Sequence, residues 1–180
     1  MKKIKIFFIV NALHSKKNKN LKKLIRTKFL SDKYDVNILI SEYKGHCIKL
    51  AEEAVENKAN IVVACGGDGT VNEVGQSLIK KPVLLGVIPL GSGNGFARHF
   101  NIPRNLNYAL DIISKNFSTT IDVGKINKRF FFSNFGLGVE AKFIEEYSKI
   151  KTRGLLGYII SFLKIISRYK KQKIEIEFNN

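Results

Sequence analysis

The sequence predicts an α/β fold in which helices cover both faces of a mostly parallel sheet. Through the first two thirds of the 180-residue chain, short apolar runs alternate with segments that have apolar residues at helical spacing. Two glycine-rich turns each follow one of these runs, where a strand of such a sheet would end. Hydrophobic residues make up 44% of the chain, which is enough for a packed core. These observations predict a doubly wound sheet with a ligand site at one edge.

The predicted elements follow from the apolar pattern in chain order. Four apolar runs predict strands: residues 4–10, 36–41, 61–65 and 82–89. The segments after these runs predict helices: residues 20–30, 45–58, 71–80 and 96–100. Asn105 precedes a further segment with one apolar face, so we expect it to cap a fifth helix.

The pattern changes near residue 118. Two β-rich segments joined by Asn127-Lys128 predict a hairpin: residues 119–126 and 129–135. Two helices and a strand are predicted after it: residues 139–147, 154–169 and 174–178. We therefore expect a first domain over residues 1–118 and the beginning of a β-rich second domain over residues 119–180, incomplete at its C-terminal end.

The charge of the chain indicates an anionic partner, unless the lysine excess is only a bias of composition. Lysine and arginine number 31 against 15 aspartate and glutamate, a net charge of +16. Nucleotide and an acidic membrane surface are candidate partners of suitable charge. Nucleic acid is disfavoured because no recognition motif or aromatic stacking platform is evident. Cys47 and Cys65 indicate neither a disulfide framework nor a metal site.

Nothing in the sequence predicts a secretory signal or a membrane span. The apolar run at residues 154–163 is far shorter than the ~20 residues that span a bilayer. We expect a cytoplasmic protein. Residues 149–173 combine an apolar face with basic ends, and are either a core-packing helix with a solvated end or a peripheral contact with the anionic inner membrane face.

The first glycine turn reads Gly66-Gly67-Asp68-Gly69-Thr70 and joins a predicted strand to a predicted helix. Its glycines bring backbone N–H groups close to a ligand, and the helix N-terminus favours phosphate oxygens. A carboxylate beside phosphate requires a cation between them, or accepts a proton from an attacking hydroxyl. The turn therefore indicates phosphoryl transfer with Asp68 as catalytic residue, although Asp in such a turn also bonds to its own backbone.

Thr70 has a second interpretation, because Glu73 lies three residues after it. The pair fits a capping box, in which each side chain bonds to the backbone N–H of the other residue. That structural role explains both residues as well as a contact with metal or substrate does.

The second glycine turn reads Gly91-Ser92-Gly93-Asn94-Gly95. Ser92 either donates its hydroxyl to a phosphate or caps the short helix that follows. Asn94 either adopts a left-handed backbone conformation or contacts a ligand. Neither turn has Walker spacing, but two such turns about 25 residues apart, each after a strand, together indicate one phosphate site.

These turns are similar to those of the diacylglycerol kinase family of lipid kinases, which includes sphingosine, ceramide and bacterial lipid kinases. Further matches are Asn11 after the first strand, the stretch 41–46 after the second, and residues 121–124. The resemblance covers nearly the whole chain and implies a Rossmann-like nucleotide-binding domain.

The resemblance also implies the reaction and its residues. ATP would be bound with Mg²⁺, and its γ-phosphate would be transferred to a lipid hydroxyl. Asp68 would bind Mg²⁺ through water or help to activate that hydroxyl, and no direct metal ligand is predicted. The positions that match nucleotide-contacting residues of the family are Asn11, Ser41, Gly66, Gly67, Asp68, Gly69, Thr70, Val71, Asn72, Glu73, Ser92 and Asn94.

Two departures from the family pattern keep alternatives open. Asn11 lacks the usual following proline and glycines, so this loop either holds phosphate through Lys16 or Lys17 or is a solvated basic turn. We also expect that the part of the second domain that supplies a candidate glutamate and Mg²⁺ ligands in bacterial relatives is missing. The alternatives are a non-catalytic nucleotide-binding remnant and an NAD kinase-like enzyme, and a homodimer is a further hypothesis.

Overall fold

The computed structural model describes residues 3–12, 15–133, 135–150, 152, 154–166, 173, 175 and 177. The chain forms two compact units, Met1–Ser133 and Asn134–Asn180. In the first unit the strands are β1 (Ile4–Asn11), β2 (Tyr34–Ser41), β3 (Ile61–Gly66), β4 (Leu84–Pro89), β5 (Gly124–Ile126) and β6 (Arg129–Phe131). The helices of this unit are α1 (Ser15–Lys28), α2 (His46–Glu56), α3 (Asp68–Leu78), α4 (Gly95–His99) and α5 (Leu106–Lys115). The second unit contains α6 (Val139–Lys149) and α7 (Leu155–Ile166).

Strands β1 to β4 form a parallel sheet in the order β2-β1-β3-β4. The inner strands β1 and β3 are almost continuously apolar, as expected for strands that are covered on both faces. At the carboxyl edge Asn11 lies opposite Ser41, and Gly66 lies opposite Pro89. The predicted doubly wound α/β fold is confirmed.

Alternate residues of the strands separate two layers of the core. Phe7 and Ile9 pack on one face with helices α2, α3 and α4. Phe8 and Val10 pack on the other face with α1 and α5. Since helices cover both faces, the sheet exposes only its edges, and its carboxyl edge is the place where α/β folds bind ligands.

Two helix starts test the capping predictions. Asn105 caps α5 as predicted, because its side chain accepts hydrogen bonds from the N–H groups of Asn107 and Tyr108 at 3.0 and 3.4 Å. The capping box in α3 is wrong. This helix begins three residues earlier than predicted, at Asp68, with Gly67 as N-cap and no side-chain cap. Because the backbone of Gly67 is extended, Asp68 is the first residue of helix α3.

The hairpin predicted after residue 118 is shorter than expected. It pairs Gly124 with Phe131 and Ile126 with Arg129, and Asn127 turns the chain with φ of 52°. Residues 119–123 are not part of a strand. The hairpin belongs to the first unit, whereas the domain boundary near residue 118 stays a prediction. The strand predicted over residues 174–178 falls largely outside the described residues.

In the second unit, α6 and α7 pack through small and aromatic residues. The Tyr147 and Tyr158 rings stack at 4.6 Å, and Gly157 and Ser161 are buried. Ile165 is buried as well, but the other apolar side chains of α7 are exposed, Leu155 to 76%. The interpretation of this whole apolar face as core packing is therefore wrong for the described residues. Within those residues no helix combines the length and hydropathy that a membrane crossing requires.

Candidate functional site

The two glycine turns are in backbone contact at the carboxyl edge of β3 and β4. Leu90 donates its N–H to the carbonyl oxygen of Gly66 at 2.9 Å. A Cβ atom added to Gly91 would lie 2.6 Å from the Cα of Gly67, closer than real Cβ contacts come. Glycine is therefore required at position 91 because the backbone of the other turn occupies the place of a side chain.

The Asp68 carboxylate bonds to the second turn. One of its oxygens accepts the N–H of Gly95 at 3.0 Å, and the other accepts the N–H of Phe96 at 2.9 Å. These are the first residues of α4, so the acid that opens α3 also neutralises the N-terminus of the next helix. The alternative interpretation, in which Asp68 bonds to its own turn, does not describe these contacts, because both bonds join the first turn to the second.

Asn94 closes the second turn. Its backbone is left-handed, with φ of 54° and ψ of 46°, as one of the two interpretations predicted. Its side-chain oxygen accepts the Gly91 N–H at 2.9 Å, and its side-chain nitrogen donates to the Gly91 carbonyl oxygen at 2.8 Å. Only 3% of Asn94 is exposed. Asn94, not Ser92, is the N-cap of α4, so the cap predicted for Ser92 is wrong, and its side chain is exposed.

The two turns differ in which N–H groups they leave without a partner. Within the described part of the chain, the N–H groups of Gly67, Asp68 and Gly69 make no hydrogen bond. The same holds for Ser92 and Gly93 in the second turn. Five backbone donors at two turns that are in contact are thus available to an anion, and three of them lie at the start of α3, where the helix dipole also favours negative charge.

Side chains tie the first turn to the neighbouring strands. Asn11, at the end of β1, donates from its side-chain nitrogen to the Thr70 hydroxyl oxygen at 3.0 Å. Ser41, at the end of β2, accepts the N–H of Ala12 at 3.4 Å. Thr70 and Ser41 are each only 4% exposed. The structure therefore brings Asn11, Ser41 and Thr70 together at one edge.

Glu73, also in α3, bonds to a different loop from Asp68. Its carboxylate accepts the N–H of Gly45, which precedes α2, at 3.3 Å. Beside it lies Cys47, a free buried thiol. Burial raises the pKa of Cys47, and the nearby Glu73 carboxylate raises it further, while a hydrogen bond with Ser41 opposes the shift. Burial likewise raises the pKa of Cys65.

The remaining predicted nucleotide contacts have structural roles in the described chain. Val71 is a buried core residue, and its N–H bonds to the Gly67 carbonyl oxygen at 3.1 Å. Asn72 accepts a hydrogen bond on its carbonyl oxygen from Gln76 at 3.1 Å. Contact of either residue with a nucleotide stays a prediction. The side chains of Lys16 and Lys17 lie outside the described part of the chain.

Two further groups near the site were not found from the sequence. Arg104 donates to the Gly91 carbonyl oxygen at 3.5 Å, although it follows Gly91 by 13 positions. The Tyr43 and His46 rings stack in parallel at 4.4 Å, and Tyr43 is 54% exposed. The contact of Arg104 depends on how a separate loop folds back on the edge, so no local pattern marks it. Tyr43 and His46 lie in the stretch 41–46 that resembles the family, but that resemblance did not predict that their rings stack.

Comparisons with known proteins identify the family of the segment that contains this site. A family model described as the diacylglycerol kinase catalytic domain matches residues 5–126, which include both glycine turns. The chain belongs to this family. The match begins in β1 and ends with β5, so it covers the sheet, the site and the first strand of the hairpin.

Individual relatives agree with the family assignment. The chain is 32% identical over 151 residues to diacylglycerol kinases of Staphylococcus aureus strains JH9 and Newman, covering 81% of this chain and 48% of each relative. A crystal structure of a diacylglycerol kinase from Bacillus anthracis str. Sterne is similar with a TM-score of 0.60 and 30% identity, covering 73% of this chain and 49% of that one. The chain thus spans about half the length of the relatives it matches.

Proposed function

We propose that this chain is the nucleotide-binding part of an ATP-dependent lipid kinase. It would transfer the γ-phosphate of ATP to a hydroxyl of diacylglycerol or a related lipid. The observation that carries the proposal is the pair of glycine turns in backbone contact, with N–H groups available on each. Membership of the diacylglycerol kinase family supports it.

The phosphates of the nucleotide would bind to the backbone. The N–H groups of Gly67, Asp68 and Gly69 open α3, where hydrogen bonding and the helix dipole both favour an anion. Phosphoryl transfer depends chiefly on positioning and on neutralisation of charge. Donors held in place before the nucleotide arrives stabilise the charge of the transition state without reorganising.

Asp68 is the proposed catalytic residue. An ionised carboxylate has about four acceptor sites, and two of those of Asp68 are occupied by Gly95 and Phe96. About two are left for a metal-bound water or for the lipid hydroxyl. Accepting the proton of that hydroxyl would accelerate transfer by ~10²–10⁴-fold.

The residues of the site fit Mg²⁺ only as an ion that is bound mainly by phosphate oxygens and water. The described residues contain no cluster of three or more side chains that could hold a metal. Mg²⁺ in nucleotide sites is commonly bound by one or two carboxylates together with phosphate oxygens and water. Asp68 would contact the ion through a bound water here, and the ion when bound would neutralise phosphate charge.

The proposal is tested by separating binding from transfer. Calorimetry with ATP and Mg²⁺ should show binding to the 180-residue chain, and labelled ATP with vesicles that contain diacylglycerol should give a labelled lipid. Asp68→Asn should abolish transfer while leaving ATP binding measurable. Near-normal turnover by this variant would contradict the role of Asp68. Binding by the wild type without any transfer would instead favour a non-catalytic nucleotide-binding protein.

A lipid acceptor implies work at a membrane surface, and α7 supports peripheral contact. Its exposed apolar residues include Leu155, Leu156 and Phe162, and basic residues near an anionic surface each contribute about 1 kcal/mol. Co-sedimentation with vesicles should therefore increase with the fraction of anionic lipid. Binding that is independent of anionic lipid would exclude this contact.

The homodimer is a separate hypothesis. Light scattering on the protein without vesicles would test for it.

A further inference from the structure

The two acidic residues of α3 both bond to backbone outside their own helix. Asp68 accepts the N–H groups of Gly95 and Phe96, which follow β4. Glu73 accepts the N–H of Gly45, which follows β2. Helix α3 itself follows β3, so its acids bond to the turns that come after two other strands of the same sheet.

These bonds are of a kind that fixes geometry. A carboxylate that accepts backbone N–H groups makes hydrogen bonds about twice as strong as neutral ones. Asp68 and Glu73 are half-buried, so water screens their bonds less than at a fully exposed site. Gly45 has φ of 85° and α2 lacks a side-chain cap, so Glu73 supplies a partner for a loop that cannot cap itself.

These bonds divide the backbone N–H groups at the carboxyl edge of the sheet into those that are occupied and those that are available to a ligand. The N–H groups of Gly45, Gly95 and Phe96 are occupied by carboxylates and are not available to a phosphate. Those of Gly67 and Gly69 are available. The acids of α3 thus hold the neighbouring turns, while the start of the same helix keeps its donors for a ligand.

We propose that Asp68 and Glu73 are positioning residues that hold the turns after β4 and β2 against α3, so that the available donors of both glycine turns converge on one phosphate group. The inference rests on the proposed nucleotide site and adds a role for Glu73, and a second role for Asp68, within it. Loss of either acid releases a different turn.

The experiment measures amide hydrogen exchange by NMR on the 180-residue chain without nucleotide. Asp68→Ala should accelerate exchange at Gly95 and Phe96 by about tenfold or more and leave Gly45 unchanged, because a charge-assisted bond is lost at those sites only. Glu73→Ala should do the reverse. Ser77→Ala is the matched control: Ser77 joins α3 to α2 through the Ile48 carbonyl oxygen at 3.2 Å and bonds to none of the three amides, so their exchange should stay unchanged.

A second measurement distinguishes positioning from fold stability alone. The dissociation constant for ADP should rise about tenfold in Glu73→Ala. It should recover in large part in Glu73→Gln, whose amide oxygen can still accept the Gly45 N–H. Asp68→Asn should recover only one of its two bonds, because one oxygen is replaced by a donor.

Several outcomes would overturn the proposal. These are unchanged exchange at the bonded amides, uniform acceleration at all three, or ADP affinity that is unchanged in Glu73→Ala. A wild-type chain that fails to bind ADP would instead reject the proposed nucleotide site, while the exchange pattern would still report whether the acids hold the turns.

Discussion

The two glycine turns have nearly the same composition and lie against each other, yet they use their polar groups differently. The turn after β3 leaves the N–H groups of Gly67, Asp68 and Gly69 available. The turn after β4 closes on itself through Asn94 and is bonded at its end by Asp68. One turn supplies most of the donors, and the other supplies the frame that holds them. Glycine content alone does not distinguish these roles, whereas hydrogen-bond partners do.

The largest loss of stability and of nucleotide binding is expected from a substitution at the contact between the two turns. In Gly91→Ala the new methyl group would lie 2.6 Å from the Cα of Gly67, so one backbone must move. Overpacking of this kind costs about 1–3 kcal/mol and sometimes more, and nucleotide binding should be lost as the donors separate. Gly69→Ala is the control, because nothing lies within 4 Å of its added Cβ. Equal stability of the two variants in urea unfolding would mean that the turns are not in contact.

Substitution of Asn94 tests how much the hydrogen bonds within the second turn contribute to stability. Asn94→Ala removes two hydrogen bonds to Gly91 and places alanine in a left-handed conformation, which together should cost about 2 kcal/mol. Asn94→Gly removes the same bonds without the conformational strain and should cost less. Thermal unfolding of both variants provides the measurement. If glycine and alanine are equally destabilising, the backbone at position 94 is not strained.

Thr70 tests the anchor of the first turn. Thr70→Val keeps the shape of the side chain and removes the acceptor of the Asn11 amide at 3.0 Å, so we expect a loss of about 1 kcal/mol. The matched variant Thr70→Ser keeps the hydroxyl and should stay close to wild type. Chemical denaturation compares the two. Identical midpoints for valine and serine would exclude a contribution of this bond to stability.

The smallest effect concerns the thiols beneath the first turn. Burial raises the pKa of Cys47 and Cys65 above 9.0, the value for an ordinary thiol. The unfolded chain therefore releases these protons before the folded chain does, so stability is full well below pH 9 and falls as the pH approaches and passes 9. The loss at pH 9 should be a few tenths of a kcal/mol per thiol. Cys65→Ala should show a shallower fall, and rapid labelling of folded protein by a thiol reagent would contradict the burial.

Prediction from sequence was most reliable where the determinant is local. Strands β1 and β3 were located within one residue because their apolar runs are sharply bounded, and Asn105 was found as a cap because its acceptor reaches the next residues in the chain. The start of α3 was misplaced because the signal from Thr70 and Glu73 suggested a local capping box. Both side chains instead bond to other elements, to Asn11 and to Gly45.

The residues of the candidate site likewise fall into those that local sequence predicted and those that it did not. The two turns and the residues within them were found from glycine spacing after strands, which is a property of short segments. Arg104 was not found, since its position depends on a loop that folds back over the edge. The stretch that contains Tyr43 and His46 was matched to the family, but the stacking of their rings was not predicted. The nucleotide contacts predicted for the individual residues stay predictions.

The sequence by itself determined the order of strands and helices and the kind of chemistry, because periodicity sets secondary structure and glycine beside a strand end favours phosphate. Only the tertiary structure decided which donors are available. Asp68 and Gly95 are 27 residues apart in the chain, yet their bond removes one donor from the site and fixes the turn that holds others. A hydrogen bond between distant segments depends on three-dimensional approach, which the spacing of residues along the chain does not encode.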